Sequence, residues 1–235
     1  MRTLWILSPH PDDECITGLL ALRLQRECGF RVTVSPATLG SLRARQKARR
    51  GELRDACAAL GWTPWFGAAD APDPDEKIRR LAARWQAARP DIVFLPHALD
   101  GHPTHRATHH WGVAAMDAAG GPFRAVETEY WHPLLHPNLM VAATDADLRD
   151  LMAALALHKG EVARNDYAAR LPAWMSDNVR RGAELVGGPG AGAPPIPHAT
   201  LYRARIRSAG RWRTPSPRVL ADAPALAAWL EKFVG

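Results

Sequence analysis

The chain has 235 residues, 47% hydrophobic and 23% charged, the balance of a soluble globular domain large enough for a well-buried core. No stretch approaches the roughly 18–20 apolar residues of a membrane span, and the run Leu4–Leu7 is too short for a signal peptide. The net charge of +6 comes from 26 Arg and four Lys scattered among the acids, without a basic face, which argues against a nucleic-acid partner.

The first apolar strand, Leu4–Leu7, runs into His10-Pro11-Asp12-Asp13-Glu14, and a helix is expected over Cys15–Gln25 with Ile16, Leu19, Leu20 and Leu24 on one face. A strand at Arg31–Pro36 follows, then a helix over Arg43–Leu60 that stops at Gly61. Asp73-Pro74-Asp75-Glu76 reads as an N-cap, a proline at N1 and a capping-box Glu, opening a helix that closes before Pro90. The strand Asp91–Leu95 leads to Asp100-Gly101-His102-Pro103-Thr104-His105 and a helix from about His105 to Ala118. Strands are expected at Ala125–Trp131 and Leu139–Ala142, and a helix over Asp145 to about His158. A further helical stretch covers Val162–Leu185 with a break near Pro172, and residues 187–197 are expected to form a surface loop at a pocket rim. A strand at Ala199–Ile206 with a solvated face bearing Arg203, Arg205 and Arg207, and a helix over Ala223–Phe233, close the chain. Strands alternating with helices predict a single α/β domain, 1–235, around a mostly parallel sheet.

Both histidine clusters fall at carboxyl ends of strands, where open α/β sheets bind ligands. His10 and Asp13, across a tight proline turn, together with His105 make a three-ligand divalent metal site with room for water. Asp12 is then free to act as general base on that water, and His102 as general acid or oxyanion donor. Either aspartate alone would read as an N-cap or turn former; the two clusters together are not explained by capping. His109 and His110 read as surface groups or supports of the ligands, His132 and His136 as loop residues, and Cys15 as a buried small residue. With Cys28 and Cys57 it makes an odd set without CxxC spacing, so no disulfide framework is expected and a reducing cytoplasm is.

These motifs, with Arg49-Arg50-Gly51-Glu52 and Glu129-Tyr130-Trp131-His132-Pro133, resemble those of the PIG-L/LmbE-like zinc deacetylases over most of residues 3–160. The resemblance implies a Rossmann-like fold with its core in about 3–160 and a less regular part over 161–235. It implies zinc, or iron(II) or another divalent ion, on His10, Asp13 and His105, with Asp12 as base and His102 as oxyanion donor and acid. It also implies that Arg49 contacts the substrate, a small N-acylated amino sugar or glycoconjugate. The family usually carries Asp where Thr104 stands; without that carboxylate either His102 is a weaker acid or Asp100 takes over. Trp62, Trp65 and Trp131 are candidates for an aromatic wall against a sugar or acyl chain. Two other functions fit parts of the pattern: a non-catalytic sugar-binding protein on the same fold, which the intact Asp12 argues against, and a two-His-one-carboxylate iron oxygenase, which the α/β pattern argues against. Nothing in the sequence specifies an oligomeric state.

Overall fold

The computed structural model describes all 235 residues as one α/β unit. Its first half comprises β1 (Thr3–Ser8), α1 (Asp13–Ile16), α2 (Leu19–Cys28), β2 (Arg31–Pro36), α3 (Arg43–Leu60), β3 (Thr63–Pro64), α4 (Pro74–Ala88), β4 (Ile92–Pro96) and α5 (Pro103–Ala119). The second half adds β5 (Phe123–Thr128), β6 (Leu139–Ala143), α6 (Asp145–Leu155), α7 (Lys159–Val162) and α8 (Tyr167–Leu185). It ends with β7 (His198–Ser208), β8 (Arg211–Arg213), β9 (Arg218–Leu220) and α9 (Ala223–Val234).

The sheet order is β3-β2-β1-β4-β5-β7-β6-β9, with β8 on β7. All pairs are parallel except those made by β7, which runs antiparallel to β5, β6 and β8. The order reverses beside β1: β2 and β3 lie on one side, β4 and β5 on the other. The crevice beyond the carboxyl ends of β1 and β4 is therefore the topological switch point, the place such sheets reserve for ligands.

A parallel strand covered on both faces reads as a continuous apolar run, and β1 and β4 do so. Leu4, Ile6, Ile92 and Phe94 enter the larger core with α2, α3, α6 and α9, while Trp5, Leu7, Val93 and Leu95 enter the smaller one with α4 and α5. That division follows from the two-residue period of side chains along a strand. The register Leu4↔Ile92, Trp5↔Val93, Ile6↔Phe94 brings the two strands to their carboxyl ends together.

Helix α3 has the expected bounds and stops at Gly61, whose φ of 68° lets its amide reach back to Ala58 and Cys57. The expected helix over Cys15–Gln25 is instead two helices. A Cβ at Gly18 would collide with the Glu14 carbonyl and the Trp62 ring, so the chain bends there. Asp73 caps α4 through the Glu76 amide, but the Glu76 carboxylate turns to Arg79 and Arg80 rather than closing the box. The break expected at Pro172 lies earlier, before the Asp166 cap of α8, and Pro172 sits inside that helix. The carbonyl its ring deprives of a partner belongs to exposed Ala168, within reach of water. The arginines of β7 are not a solvated face. Arg205 bonds buried Glu127 at 3.1 Å, and Arg207 bonds Asp117 at 2.6 Å.

Gly182 marks where α8 crosses the sheet. A Cβ there would lie 2.5 Å from Met140 Sδ and 2.9 Å from Leu201 Cδ2, both side chains fully buried. Gly182→Ala is expected to destabilise by about 1–3 kcal/mol through overpacking. Thermal unfolding checks this, at about 2–4 °C of Tm per kcal/mol for a chain of this size.

Candidate metal centre

The first strand's end brings two ligands into one turn. The His10 amide donates to Asp13 Oδ2 at 2.8 Å, and His10 Nδ1 lies 3.3 Å from the same oxygen. From β4 the chain loops through Asp100 to His102, which caps α5 by accepting the Thr104 amide at Nδ1 (3.2 Å). One turn into that helix, His105 Nε2 comes within 3.6 Å of Asp13 Oδ2. The donor atoms of His10, Asp13 and His105 all lie within 4.8 Å of one another. Two imidazoles and one carboxylate suit zinc or iron(II), and three protein ligands leave a position open.

Asp100 completes the fit. Its Oδ2 is 3.1 Å from His105 Nδ1, and its Oδ1 accepts the His102 amide at 2.8 Å. The bond to Nδ1 fixes the tautomer that leaves Nε2 with a lone pair for the ion. Burial acts to raise the Asp100 pKa, but its bonds from His105 and His102 outweigh that and hold it below the usual carboxylate range. Asp100 is thus the orienter of a ligand rather than a stand-in acid. Burial likewise works against ionised Asp13, and His105 and His10 overcome it, bringing the pKa down to about 2. Asp13 is thus held towards the anionic form that a metal ligand needs.

Asp12 lies apart from this triangle. Its φ of 119° is rare for a residue with a Cβ and aims the side chain into the cavity, at a cost of about 1–3 kcal/mol in backbone strain. Burial, then the charges of Asp13 and Glu14, push its pKa well up, and Arg49 pulls the other way. A raised carboxyl is a proton acceptor better matched to neutral pH. Arg49 is no solvated helix residue: its Nη2 donates to the Pro11 carbonyl at 2.9 Å and lies 3.5 Å from Asp12 Oδ1, and Nη1 is 3.4 Å from Glu161. His102 stands on the other flank, its ring centroid 5.2 Å from that of His10 and 5.0 Å from that of His105.

All six expected site residues line one cavity of about 480 Å³, with Thr38, Gly40, Ser41, Thr104, Trp131, Glu161, Arg164, Asn165 and Tyr167. Tyr167, which donates to Asp12 Oδ2 at 3.2 Å, and Glu161 were not foreseen. Both lie far along the chain, Tyr167 in no motif and Glu161 in a segment, His158-Lys159-Gly160-Glu161, that follows a motif of the zinc deacetylases only loosely. Only Trp131 of the expected aromatic wall is there, half exposed at the rim; Trp62 is core and Trp65 packs on Trp5. The 187–197 loop borders a different cavity, through Ala191 and Ala193. His109 is buried on the Pro96 carbonyl, and the His132 carbonyl accepts from His97.

The wall carrying Thr38, Gly40 and Ser41 is anchored from behind by Lys77, whose buried Nζ donates to the carbonyls of Ala37 (2.5 Å) and Ala68 (2.6 Å). Burial foremost, then Arg80, brings its pKa down to about 8, against the pull of Asp70. Between pH 8 and the unfolded value near 10.5 the unfolded chain binds more protons, so Lys77 makes stability rise with pH there. Urea unfolding of wild type and Lys77→Met from pH 7.5 to 9.5 is expected to shift in favour of wild type by about 1–2 kcal/mol.

Fold and site together describe an α/β protein whose His10, Asp13 and His105 form a candidate metal triangle at the switch point. Residues 5–116 match the family model described as PIG-L, GlcNAc-PI de-N-acetylase. A 1D-myo-inositol 2-acetamido-2-deoxy-alpha-D-glucopyranoside deacetylase of Thermomonospora curvata is 30% identical over 195 residues, covering 63% of this chain and 65% of that one. The chain spans 65% and 55% of the length of the two curated relatives it matches, the second being the deacetylase of the same description from Geodermatophilus obscurus. Among solved structures, the N,N'-diacetylchitobiose deacetylase of Pyrococcus horikoshii aligns with TM-score 0.66 at 15% identity, covering 86% of this chain and 83% of that one. GalB, the 4-carboxy-2-hydroxymuconate hydratase of Pseudomonas putida, aligns with TM-score 0.67 at 19% identity, covering 87% and 96%. The structural likenesses establish the fold; a fold shared by a deacetylase and a hydratase does not fix the reaction. No helix of the chain is long and apolar enough to cross a membrane.

Proposed function

We propose that this chain is a divalent-metal-dependent amidohydrolase that removes the N-acyl group, N-acetyl in the first instance, from a small molecule containing an amino sugar. The observation that carries the proposal is the His10–Asp13–His105 triangle flanked by Asp12 on one side and His102 on the other. The description shared by the two curated relatives supports the substrate class. Zinc is the ion of choice for this donor set, with iron(II) as its substitute, and when bound it supplies Lewis acidity and makes water a nucleophile near neutral pH.

The chain's own residues do the rest. Asp12, with its raised proton affinity, takes a proton from the attacking water, and Tyr167 and Arg49 hold its carboxylate in place. His102 accepts the Thr104 amide at Nδ1, so its neutral ring carries hydrogen on Nε2 and offers it to the oxyanion. With no carboxylate at position 104 to stabilise an imidazolium, the proton for the departing amine comes back from Asp12. The products are the carboxylate and the free amine. Trp131 at the rim offers a face for a sugar ring, and the mostly polar lining favours a short acyl group over a long chain. The setting is the cytoplasm, a compartment that suits three free thiols.

The test is release of free amine from N-acetylglucosamine conjugates by zinc-loaded protein, with metal content measured alongside. Turnover with one ion per chain is the expected outcome. A protein that binds one ion yet leaves every N-acetylated amino sugar intact would refute the activity while leaving the centre standing.

A further inference from the structure

Glu14 follows the ligand Asp13 in sequence, yet its side chain is fully buried and turned away from the cavity. Its Oε2 accepts the Asp12 amide at 2.9 Å, and its Oε1 lies 2.7 Å from Nε2 of His158, also fully buried. The first bond fixes the amide of the residue whose φ is 119°, so it acts on the turn that aims Asp12. The second reaches the start of the stretch that delivers Glu161, Arg164, Asn165 and Tyr167 to the cavity. Tyr167 touches Asp12 directly and Glu161 through Arg49. Both the backbone and the side-chain supports of Asp12 thus trace to one buried pair. A buried carboxylate–imidazole pair is weak evidence for stability, since well-packed apolar residues often replace such pairs without loss.

We infer that His158 and Glu14 form a positioning pair that docks residues 158–167 against the first turn and thereby holds Asp12 in its working orientation. The rate part of this inference rests on the hydrolase proposed above; the docking part does not. Nothing passes between the pair and substrate, so neither residue is catalytic.

The test compares His158→Leu with His158→Gln, whose amide keeps a donor near the position of Nε2. In the leucine variant kcat per bound metal is expected to fall about 10–100-fold, the scale for losing a partner that orients a site residue. Trypsin cleavage after Lys159 and Arg164 should accelerate by about tenfold or more, as docking is lost. His158→Gln should restore most of both. In an Asp12→Asn background the leucine change should cost nothing further, because it acts through Asp12.

Unchanged cleavage and kcat in His158→Leu would overturn the inference. So would a rate loss as large in the Asp12→Asn background as in wild type. Two metal equivalents in wild type falling to one in His158→Leu would make His158 a ligand with Glu14 and Cys15, and would overturn it as well. If the leucine variant does not fold, His158→Asn, whose amide falls short of Glu14, carries the same comparison. Should wild type hydrolyse no N-acetylated amino sugar, the proposed reaction fails while the trypsin comparison still decides the docking.

Discussion

Asp12→Asn is expected to lower kcat by about 10²–10⁴-fold, the range for removing a general base, with one divalent ion per chain still bound. Asparagine is the informative replacement because it keeps the shape of the side chain and, like aspartate, tolerates positive φ. Its amide oxygen can still accept from Tyr167 or from Arg49, which donate to different oxygens of the native carboxylate. What it cannot do is take a proton. Initial rates of amine release at saturating substrate, paired with metal analysis of the same samples, check the prediction. A variant with native kcat would remove Asp12 from the mechanism, and a variant without metal would make it a ligand. The geometry argues against the second outcome, since the three donors that converge are those of His10, Asp13 and His105.

His105→Ala is expected to leave less than about a tenth of an ion per chain and no measurable turnover, because two ligands seldom hold zinc against water. Chelator-treated wild type should lose activity to the same degree and regain it on adding zinc; His105→Ala should not. Asp100→Ala makes a graded companion. It leaves all three ligands but frees the His105 ring from its 3.1 Å partner, and a 10–100-fold loss of metal affinity is expected. Competition with a chromophoric chelator reads both. An Asp100 variant binding metal as tightly as wild type would show that the helix alone orients His105.

The parts of the molecule legible in the sequence are those where local and tertiary preferences agree. α3 could be bounded because its apolar spacing and Gly61 point to the same end. The convergence of His10, Asp13 and His105 could be anticipated because each cluster follows an apolar run, and strand ends on a parallel sheet converge. The misplacements share a different cause. Gly18 lies between α1 and α2 with the Trp62 ring, 44 residues away, packed against it, a contact the local sequence does not report. Tyr167 and Glu161 line the cavity just beyond His158, whose buried contact with Glu14 spans 144 positions, and no periodicity reports a contact of that range. Thr63–Pro64, Arg211–Arg213 and Arg218–Leu220 pair as strands too short to announce themselves. The half-buried arginines of β7 looked solvated because their acidic partners Glu127 and Asp117 lie on other elements.

The antiparallel strand β7 sits between β5 and β6, pairing Phe123 with Arg207 and Leu139 with Tyr202. During synthesis this leaves β5 with a bare row of amides and carbonyls on one side until residues near 200 emerge. The three candidate metal ligands have all been made by residue 105, long before that gap is closed. A nascent chain can therefore hold its donors while still presenting an open strand to its neighbours, the stage at which chains of this topology aggregate. Refolding in vitro inherits the same bottleneck, because closing the sheet joins residues 74 to 84 positions apart.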